Sequence, residues 1–509
     1  MKEITKTRFT TGFTCVRATI YALTRKSKKA SQEMKYISDN GQRVHELARK
    51  YFDGSVTVTG RTNAARQNNT IRYINAGKEY ICEAAFMSDN LFAAVDILHV
   101  LPNKHVEVYE VKSATKVEDN FYLDLAFQVY VLEHCGYTVD AAYIMIINSE
   151  FIKHGDIDPK KFFIIEDAFD EVKELQEDVD DSVGGIRSVL SGEKKLDETP
   201  VFGKYCFKPN ECPYWDECKK GIPEDSVFEI KKMSIDKKIG YYYDGVRTMK
   251  DLLGIKDLTA RFEQQARLQV EKSNKTEVKM NLLMLFLSKL VFPITSLDFE
   301  TIFDALPLFD GTKPYSHQVT QYSVHVLEEK GGILHHFDYL AEPKGDWRIP
   351  LAHELVKVVP EEGSIIVWND EMESNRLMEL ADLPGNEDIR NKLLSIKHRI
   401  VDLMDIFLKR IVYNRFMEGS YSVKHVLPAF YPDREDLRYD GMPINNGMLA
   451  TITFSKLLRG EITGDEAATA RKNLLTYCEL DTYGPFAILD ALFHLSNPKS
   501  APLYKRTTG

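Results

Sequence analysis

The chain has 509 residues, a net charge of −10 and 44% hydrophobic, 28% charged and 11% aromatic residues. This composition is typical of a folded globular protein with two or three domains, and it excludes a disordered chain. The overall acidity argues against a polyanionic partner unless the basic residues are concentrated in one place.

The start of the chain is such a place, because residues 1–50 contain 12 Lys and Arg against 4 Asp and Glu. This excess is typical either of a nucleic-acid-binding surface or of an ordinary solvated basic face. Residues 1–20 lack the apolar core of a signal peptide, and no apolar run reaches the roughly 20 residues that span a bilayer. We therefore expect a cytosolic protein without a membrane partner. The longest apolar run, residues 280–294, predicts a buried helix that enters a strand.

The first block of the sequence, residues 1–222, mixes helical and strand patterns. Its predicted elements are, in chain order, a helix over 41–52, strands over 93–100 and 106–113 joined by a turn, a helix over 122–137, a strand over 141–147 and an acidic helix over 166–190.

Three charged residues mark the predicted hairpin. Asp96 lies in its first strand, and Glu110 and Lys112 lie two apart in its second, where they share a face. Two carboxylates can bind Mg²⁺, while a lysine can orient the attacking water and stabilise developing phosphate charge. His45 on the preceding helix can complete the metal shell. The alternative is a surface Glu–Lys pair, which is common on strands.

Three of the seven cysteines, Cys206, Cys212 and Cys218, form a cluster with five residues in each gap. In a reducing compartment such a cluster is more typical of a metal site than of disulfides. Structural zinc sites favour shorter gaps, whereas iron–sulfur clusters take four thiolates at varied spacing, and Cys15 is the natural fourth. The remaining cysteines are expected to be core thiols, namely Cys82, Cys135 and Cys478.

Residues 223–285 are charged and helix-prone, and they predict a helical connector. The last block, residues 286–509, opens on the stretch "SLDFETIF", in which Asp298 and Glu300 share one face of a predicted strand. Their charges repel unless a cation lies between them.

Further candidate ligands follow in the last block. Tyr477 and Asp481 lie one helical turn apart, and Asn369, Asp370 and Glu373 follow a predicted strand. Four carboxylates can hold two divalent ions about 3.5–4 Å apart, one activating water and the other stabilising the departing oxygen. In such a site Tyr477 would position the water.

The first block resembles the RecB-like branch of the PD-(D/E)XK nuclease family over about 200 residues, through "VDIL", "YEVKSAT" and "FQVYVL" in this order after a helix with the pattern GxxxHxxAR. The resemblance implies a metal-dependent site built from His45, Asp96, Glu110 and Lys112, supported by Gln128. The family's Tyr usually follows the Gln by three positions, where this chain has Val131, so Tyr130 is the candidate. Related nucleases bind a [4Fe–4S] cluster through one N-terminal and three C-terminal cysteines, which implies Cys15, Cys206, Cys212 and Cys218 here. Zinc or buried thiols are the alternatives.

The last block resembles the Tyr-containing subgroup of the DEDD exonuclease superfamily, which has a ribonuclease H-like fold and cleaves nucleic acid from 3′ ends. "DFET" at 298–301 and the Tyr-x-x-x-Asp motif at 477–481 match the family. The middle motif departs from it, because Glu373 stands where the family usually has Asp. The resemblance implies metal ligands at Asp298, Glu300, Glu373 and Asp481, with Tyr477 in catalysis. Asp402 is either another ligand or structural, and Lys424 is either a phosphate contact or structural.

The joined order resembles a bacterial fusion family of these two nuclease types. The expected fold class is α/β, with a PD-(D/E)XK domain over 1–222, a helical connector over 223–285 and a ribonuclease H-like domain over 286–509. The expected function is a nuclease, dependent on Mg²⁺ or Mn²⁺, that hydrolyses single-stranded DNA or DNA ends and carries a [4Fe–4S] cluster. The alternatives are a nucleic-acid-binding scaffold with one inactive site and an RNA-processing exonuclease. Trp215 and the tyrosines at 241–243 are candidates for base stacking or for packing.

Overall fold

The computed structural model of the protein describes residues 3–25, 31–196, 199–208 and 211–506. The chain forms two compact units, Met1–Lys220 with Asp304–Ser316, and Gly221–Phe303 with His317–Gly509. Both units combine helices with a central sheet, so the mixed α/β class is confirmed. Among the described residues, no helix is both long enough and apolar enough to cross a bilayer.

The first unit is built around a seven-stranded mixed sheet with strand order β2-β3-β4-β5-β6-β7, in which β1 pairs with β4. Its strands are β1 (Ile4–Thr5), β2 (Val56–Thr57), β3 (Tyr80–Ser88), β4 (Leu91–Val100), β5 (His105–Val111), β6 (Thr138–Ile147) and β7 (Phe163–Asp167). Its helices are α1 (Lys6–Thr14), α2 (Val16–Thr24), α3 (Gln32–Arg49), α4 (Asn63–Asn75), α5 (Asp119–His134), α6 (Pro159–Phe162), α7 (Phe169–Glu174), α8 (Gln176–Ser191) and α9 (Trp215–Cys218).

The sheet of the first unit is covered on both faces. Helix α5 connects the parallel strands β5 and β6 and packs on one face together with α1 and α8. Helix α3 packs on the other face, where Val44 and Phe52 meet Tyr109 and Met145. Both sets of helices contact β5, so side chains from α1, α3 and α5 can approach the same strand.

The segment Asp304–Ser316 belongs to the first unit although its flanking strands belong to the second. Asp304 is buried and accepts hydrogen bonds from the Tyr36 hydroxyl at 3.2 Å and from Arg43 Nη1 at 3.1 Å. Tyr315 donates its hydroxyl to the backbone oxygen of Ser113 at 2.7 Å. This segment therefore closes the side of the first unit next to the end of β5.

The second unit contains a six-stranded sheet with order β13-β12-β9-β10-β11-β15 and a small β14–β8 pair. Its strands are β8 (Glu277–Val278), β9 (Ile294–Ile302), β10 (Gln318–Leu327), β11 (Ile333–Leu340), β12 (Ser364–Val367), β13 (Ile400–Asp402), β14 (Val412–Tyr413) and β15 (Lys505–Arg506). Its helices are α10 (Ile235–Tyr243), α11 (Met249–Leu252), α12 (Ala260–Val270), α13 (Met280–Leu287), α14 (Arg348–Val358), α15 (Asp370–Ala381), α16 (Arg390–His398), α17 (Asp405–Leu408), α18 (Val423–Phe430), α19 (Gly447–Leu458) and α20 (Gly464–Ser496).

Strand β9 lies inside this sheet, antiparallel to β10 and parallel to β12. Leu297 and Phe299 point to the face that α14, α15 and α16 cover, where they join Val324 and Leu377 in one core. Because side chains alternate along a strand, Asp298 and Glu300 point to the opposite face, which α19 and α20 cover.

Residues 223–285, predicted as a helical connector, contain α10, α11 and α12. They lie within the second unit and have their own small core, which includes Val227 and Leu252. One expectation about the middle of the chain needs correction. The apolar run at 280–294 was expected to form a buried helix, but α13 buries Leu283 and Leu287 and leaves Leu282 46% and Met284 56% exposed. Apolar sequence alone does not tell which sides of a helix other elements cover.

Candidate functional sites

The first candidate site lies on the sheet of the first unit, where β4 and β5 are adjacent. Asp96 on β4 accepts a hydrogen bond from the backbone N–H of Val111 at 2.8 Å, next to Glu110. His45 on α3 places Nδ1 3.7 Å from an Asp96 oxygen. The β4–β5 hairpin and α3 therefore bring Asp96, Glu110 and His45 close together, as the sequence predicts.

Glu110 is buried and surrounded by donors. Its Oε1 lies 2.7 Å from Lys6 Nζ and 3.0 Å from Lys112 Nζ, and its Oε2 accepts a hydrogen bond from Gln128 Nε2 at 2.6 Å. Burial alone would raise the pKa of Glu110, but the two lysines outweigh burial and hold that pKa well below its usual range. Glu110 therefore stays ionised.

Asp96 has the opposite electrostatic environment. Burial, and then the negative charge of Glu110, raise the pKa of Asp96 well above its usual range. Burial lowers the pKa of His45, which keeps its imidazole neutral at physiological pH, as metal ligation requires. A divalent cation beside Asp96 would reverse the shift at Asp96, since it favours the ionised carboxylate.

Glu83 was missed by the sequence reasoning. It lies on β3 opposite Asp96, between the register pairs Cys82–Ile97 and Ala84–Val95, and its backbone is left-handed with φ 57°. Ligand atoms of His45, Glu83 and Asp96 all lie within 4.8 Å of one another. A non-glycine residue at positive φ inside a strand is strained, and such strain often occurs at functional sites. A lone carboxylate in the apolar stretch "YICEAAFMS" was the available signal.

Further contacts surround this site. Glu83 also accepts hydrogen bonds from Arg49 at 3.1 Å and Arg66 at 3.2 Å. Lys112, just past the end of β5, pairs with Asp124 on α5. Tyr130, the weaker candidate, instead donates its hydroxyl to Asp180 on α8. The hydroxyl of Tyr130 therefore binds a residue of α8.

The four cysteines predicted to act together line one cavity of about 600 Å³. Cys15 is the residue with extended backbone between α1 and α2, and the other three cysteines lie in the segment after α8. Burial and the neighbouring cysteines raise the pKa of Cys206 and of Cys218. The four thiols thus converge although 190 residues of sequence separate the first from the second.

Their spacing bears on the kind of centre they fit. A single tetrahedral zinc ion with Zn–S bonds of about 2.3 Å requires sulfurs about 3.8 Å apart. Among the residues that the structure describes, the groups with mutual ligand distances within 4.8 Å include no cysteine trio. Cys82, Cys135 and Cys478 lie elsewhere, and Cys82 and Cys478 are buried as expected.

The second candidate site lies between β9 and α20 in the second unit. Carboxylate oxygens of Asp298, Glu300 and Asp481 all lie within 4.8 Å of one another. Burial, and then the charge of Asp481, raise the pKa of Asp298 and of Glu300 well above their usual range. Burial raises the pKa of Asp481 to about 6. Such a group of buried carboxylates is what a bound divalent cation would neutralise.

Glu373 lies in the first turn of α15 and is 5% exposed. Its Oε2 atom has no hydrogen-bond partner within the described parts of the chain. Burial, and then the charges of Asp402 and Asp370, raise the pKa of Glu373 to about 8. A buried carboxylate oxygen without a donor is costly, and a divalent cation is one group that would satisfy it.

Asp402 supports the backbone at the start of α15. It ends β13, and its oxygens accept hydrogen bonds from the backbone N–H groups of Asn369 at 3.2 Å and Asp370 at 3.3 Å. Asp402 therefore caps the N-terminus of α15 and fixes the turn that carries Glu373. Asn369 has φ 114°, a second strained position beside a candidate ligand.

Two tyrosines and a lysine complete the second site. Tyr439 donates its hydroxyl to Asp481 Oδ1 at 2.6 Å, and Tyr477 also lowers the pKa of Asp481. Lys424 Nζ lies 5.1 Å and 5.4 Å from the ring centroids of Tyr439 and Tyr477, and it lowers the pKa of Glu300. Sequence reasoning found Tyr477 and Lys424 but not Tyr439, which no motif spacing marks.

Comparisons with known proteins find similarity over parts of the chain, to proteins and a domain without an assigned activity. A family model described as a domain of unknown function (DUF2779) matches residues 295–422, which include Asp298, Glu300 and Glu373 but not Asp481. The uncharacterized protein UU173 of Ureaplasma parvum is 26% identical over 278 residues, which are 52% of this chain and 38% of that protein. The uncharacterized protein MG366 homolog of Mycoplasma pneumoniae is 27% identical over 205 residues, 38% of this chain and 31% of its own length. The chain thus spans about a third of the length of these relatives.

Proposed function

We propose that the protein is a metal-dependent nuclease with two hydrolytic sites, one in each unit. The observation that carries the proposal is the convergence of Asp298, Glu300 and Asp481, whose oxygens lie within 4.8 Å of one another. Burial raises the pKa of all three, and the charge of Asp481 further raises the pKa of the other two. Carboxylate oxygens are the ligands that Mg²⁺ and Mn²⁺ prefer.

The donor set of the second unit fits divalent cations. Asp298, Glu300 and Asp481 would hold them, with the unpartnered Oε2 of Glu373 as a further ligand. When bound, such ions activate water and stabilise the departing oxygen of a phosphodiester.

The protein's own groups would prepare this chemistry. Tyr439 holds the Asp481 carboxylate in place through its hydroxyl. Tyr477, one helical turn before Asp481, would orient the attacking water. The fixed positive charge of Lys424 near the carboxylates would stabilise negative charge that develops on the phosphate. We assign this unit a ribonuclease H-like fold, which the antiparallel β9–β10–β11 run with a parallel β12 supports.

The first unit offers a second donor set. His45, Glu83 and Asp96 would hold one divalent ion through a neutral imidazole and two carboxylates. Lys112 would stabilise the phosphate charge, while Lys6 and Gln128 fix Glu110. We assign this unit a PD-(D/E)XK fold, which the β4–β5 hairpin followed by α5 and a parallel β6 supports.

Cys15, Cys206, Cys212 and Cys218 would bind a [4Fe–4S] cluster that ties α1 and α2 to the segment after α8. Their shared cavity supports a common centre, and a cluster is favoured over one zinc ion because no three of these sulfurs lie within 4.8 Å of one another. Such a centre would stabilise this unit, since a metal site formed by distant segments contributes its binding free energy to folding.

The proposed substrate is single-stranded DNA or a DNA end. The basic excess of residues 1–50 supports a polyanionic partner, although one of those residues, Lys6, pairs with Glu110. A nucleic-acid-binding scaffold with an inactive second site is the alternative. The longer side chain of Glu373, at the position where related exonucleases carry Asp, favours this alternative.

End-labelled single-stranded DNA, duplex DNA and RNA, each with Mg²⁺ or Mn²⁺, would test the proposal. We expect Lys112→Ala to abolish cutting by the first site and Asp298→Ala to abolish cutting by the second. The matched controls are Lys116→Ala and Asp338→Ala, which change exposed residues in the same unit as each site. If the Lys112→Ala, Asp298→Ala double variant cuts as the wild type does, the nuclease proposal is wrong. If no substrate is cut but strands bind, the scaffold alternative holds.

A further inference from the structure

The second unit contains another group of donors, which lies on β10, β11 and α20 and shares only α20 with the four carboxylates. We propose that His325, His336 and Glu479 form a site for a zinc ion. Their ligand atoms all lie within 4.8 Å of one another. His325 on β10 and His336 on β11 are direct register partners, and Glu479 projects from α20.

The hydrogen bonds around the two imidazoles determine which nitrogens carry protons. Thr482 donates its hydroxyl to the backbone oxygen of Glu479 at 3.1 Å, so it must accept from both of its other neighbours. His325 Nδ1, 2.8 Å away, therefore donates to Thr482 Oγ1, and so does the Ser323 hydroxyl at 2.6 Å. Ser323 has then used its proton, and His336 Nε2 donates to Ser323 Oγ at 3.0 Å.

In the neutral form of each ring, this arrangement places the lone pair on the other nitrogen, Nε2 of His325 and Nδ1 of His336. A neutral imidazole whose protonated nitrogen donates to a fixed oxygen is the form in which histidine ligates a metal. The two hydroxyls would act as the supporting partners of such ligands. The two rings are stacked, with centroids 4.4 Å apart and planes at 24°, so one ring would have to turn about its side-chain bonds for both in-plane lone pairs to reach one ion.

The donor chemistry selects zinc over the ions proposed for the carboxylate site. Two imidazoles and one carboxylate are a common zinc donor set, with bonds of about 2.0–2.2 Å. Tetrahedral ligands at that bond length lie about 3.4 Å apart, so the three donors need to approach by about 1 Å or less each. Mg²⁺ prefers oxygen ligands, whereas imidazole suits zinc and its neighbours among the transition metals. His336 and Glu479 are partly exposed, which gives an ion access from solvent.

The position of the site gives it a structural role in the second unit. Glu479 lies two residues before Asp481 on α20, and Ser323 is the register partner of Asp298 on β9. An ion at this site would hold α20 against β10 and β11. It would thereby fix the distance between the carboxylates of Asp481 and Asp298 without contacting either.

Zinc binding by the full-length protein tests the proposal. The protein is equilibrated with Zn²⁺ in the presence of excess Mg²⁺, dialysed and analysed for bound zinc by mass spectrometry. We expect the wild type to retain about one zinc ion more than Glu479→Gln or His336→Ala. The matched controls are Glu466→Gln on the same helix and His335→Ala on the same strand, both at exposed positions, which we expect to retain as much zinc as the wild type.

Zinc bound at the cysteines would contribute equally to all five proteins, so the differences isolate the histidine site. The comparison is repeated in a Cys212→Ser background, where the same difference of one ion is expected. Glu479→Gln keeps the size of the side chain, so it decides the outcome if His336→Ala fails to fold. Equal zinc content in the wild type and Glu479→Gln would overturn the proposal. Nuclease activity is not needed for this readout, so its absence would leave the zinc result intact.

Discussion

Lys6 Nζ lies 2.7 Å from Glu110 Oε1, the oxygen that Lys112 also approaches, to 3.0 Å. Two ammonium groups thus share one buried carboxylate oxygen. Burial opposes the ionised form of Glu110, and the two cations together overcome it. Lys6, at the first position of α1, is therefore part of the first site although it lies 104 positions before Glu110 in the sequence.

We expect Lys6→Met to destabilise the protein by about 1–3 kcal/mol, because it leaves a buried carboxylate with one cation instead of two. Since the pKa of Glu110 is held low in the native state, this stabilisation is present above the ordinary glutamate pKa of about 4.3 and is lost as pH falls below it. Urea unfolding at neutral and acidic pH measures both effects. Lys160→Met, at an exposed ion pair, should change the free energy of unfolding by less than about 0.5 kcal/mol.

Glu83→Gln should raise the concentration of Mg²⁺ or Mn²⁺ needed for half-maximal cutting by the first site. The substitution keeps the shape of the side chain but removes one of two carboxylates from the proposed donor group. Titration of the metal in an Asp298→Ala background isolates the first site. Glu79→Gln, at an exposed position just before β3, is the control. Superimposable titrations for Glu83→Gln and the control would exclude Glu83 as a ligand.

Without metal, the second unit should lose stability as pH rises. The pKa values of Glu373 and Asp481 are about 8 and about 6 in the native state, against ordinary values of about 4.3 and 3.9. Between about pH 4 and pH 8 the native state therefore holds protons that the unfolded state has released, so stability falls through this window. We expect the melting temperature in EDTA to be lower at pH 8 than at pH 5, and excess Mg²⁺ to restore it at pH 8.

Asp298→Asn should reduce both the loss of stability at high pH and the recovery of stability in Mg²⁺. The substitution removes one of the repelling carboxylates and one proposed ligand. Melting in EDTA at pH 8 should be higher for this variant than for the wild type, and the response to Mg²⁺ should be smaller. Asp338→Asn, at an exposed position on β11, should behave as the wild type does. An unchanged Mg²⁺ response in Asp298→Asn would mean that the ion binds elsewhere.

Cys212→Ser should lose iron, sulfide and visible absorbance after anaerobic purification, because the proposed cluster needs all four thiolates. The same substitution should lower the melting temperature of the first unit. Cys135→Ser is the control, since Cys135 lies apart and its thiol contacts the backbone oxygen of Met87. A colourless wild type that contains zinc would replace the cluster with a zinc site.

Local periodicity predicted much of both candidate sites. The short turn between β4 and β5 brings Asp96 beside Glu110, and the one-turn spacing of Tyr477 and Asp481 puts both on one face of α20. Asp298 and Glu300 lie two residues apart on β9, which puts both on one face of that strand. In each case one element, or two adjacent elements, fix the geometry.

The residues that the sequence did not reveal depend on pairing between distant elements. Glu83 joins its site through strand register and a left-handed backbone that no motif marks. Lys6 and Tyr439 reach their carboxylates from segments far away in sequence. Their roles follow from tertiary packing, which residue spacing along one element does not encode.

The segment Asp304–Ser316 affects how the gene could be truncated or recombined. The polypeptide passes from one compact unit to the other three times, because these residues return to the first unit after the second has begun. A gene truncated after Lys220 would therefore encode a first half without the carboxylate that satisfies Arg43 and Tyr36. Recombination at a single crossover could not exchange either half intact, so the two halves are expected to be passed on together.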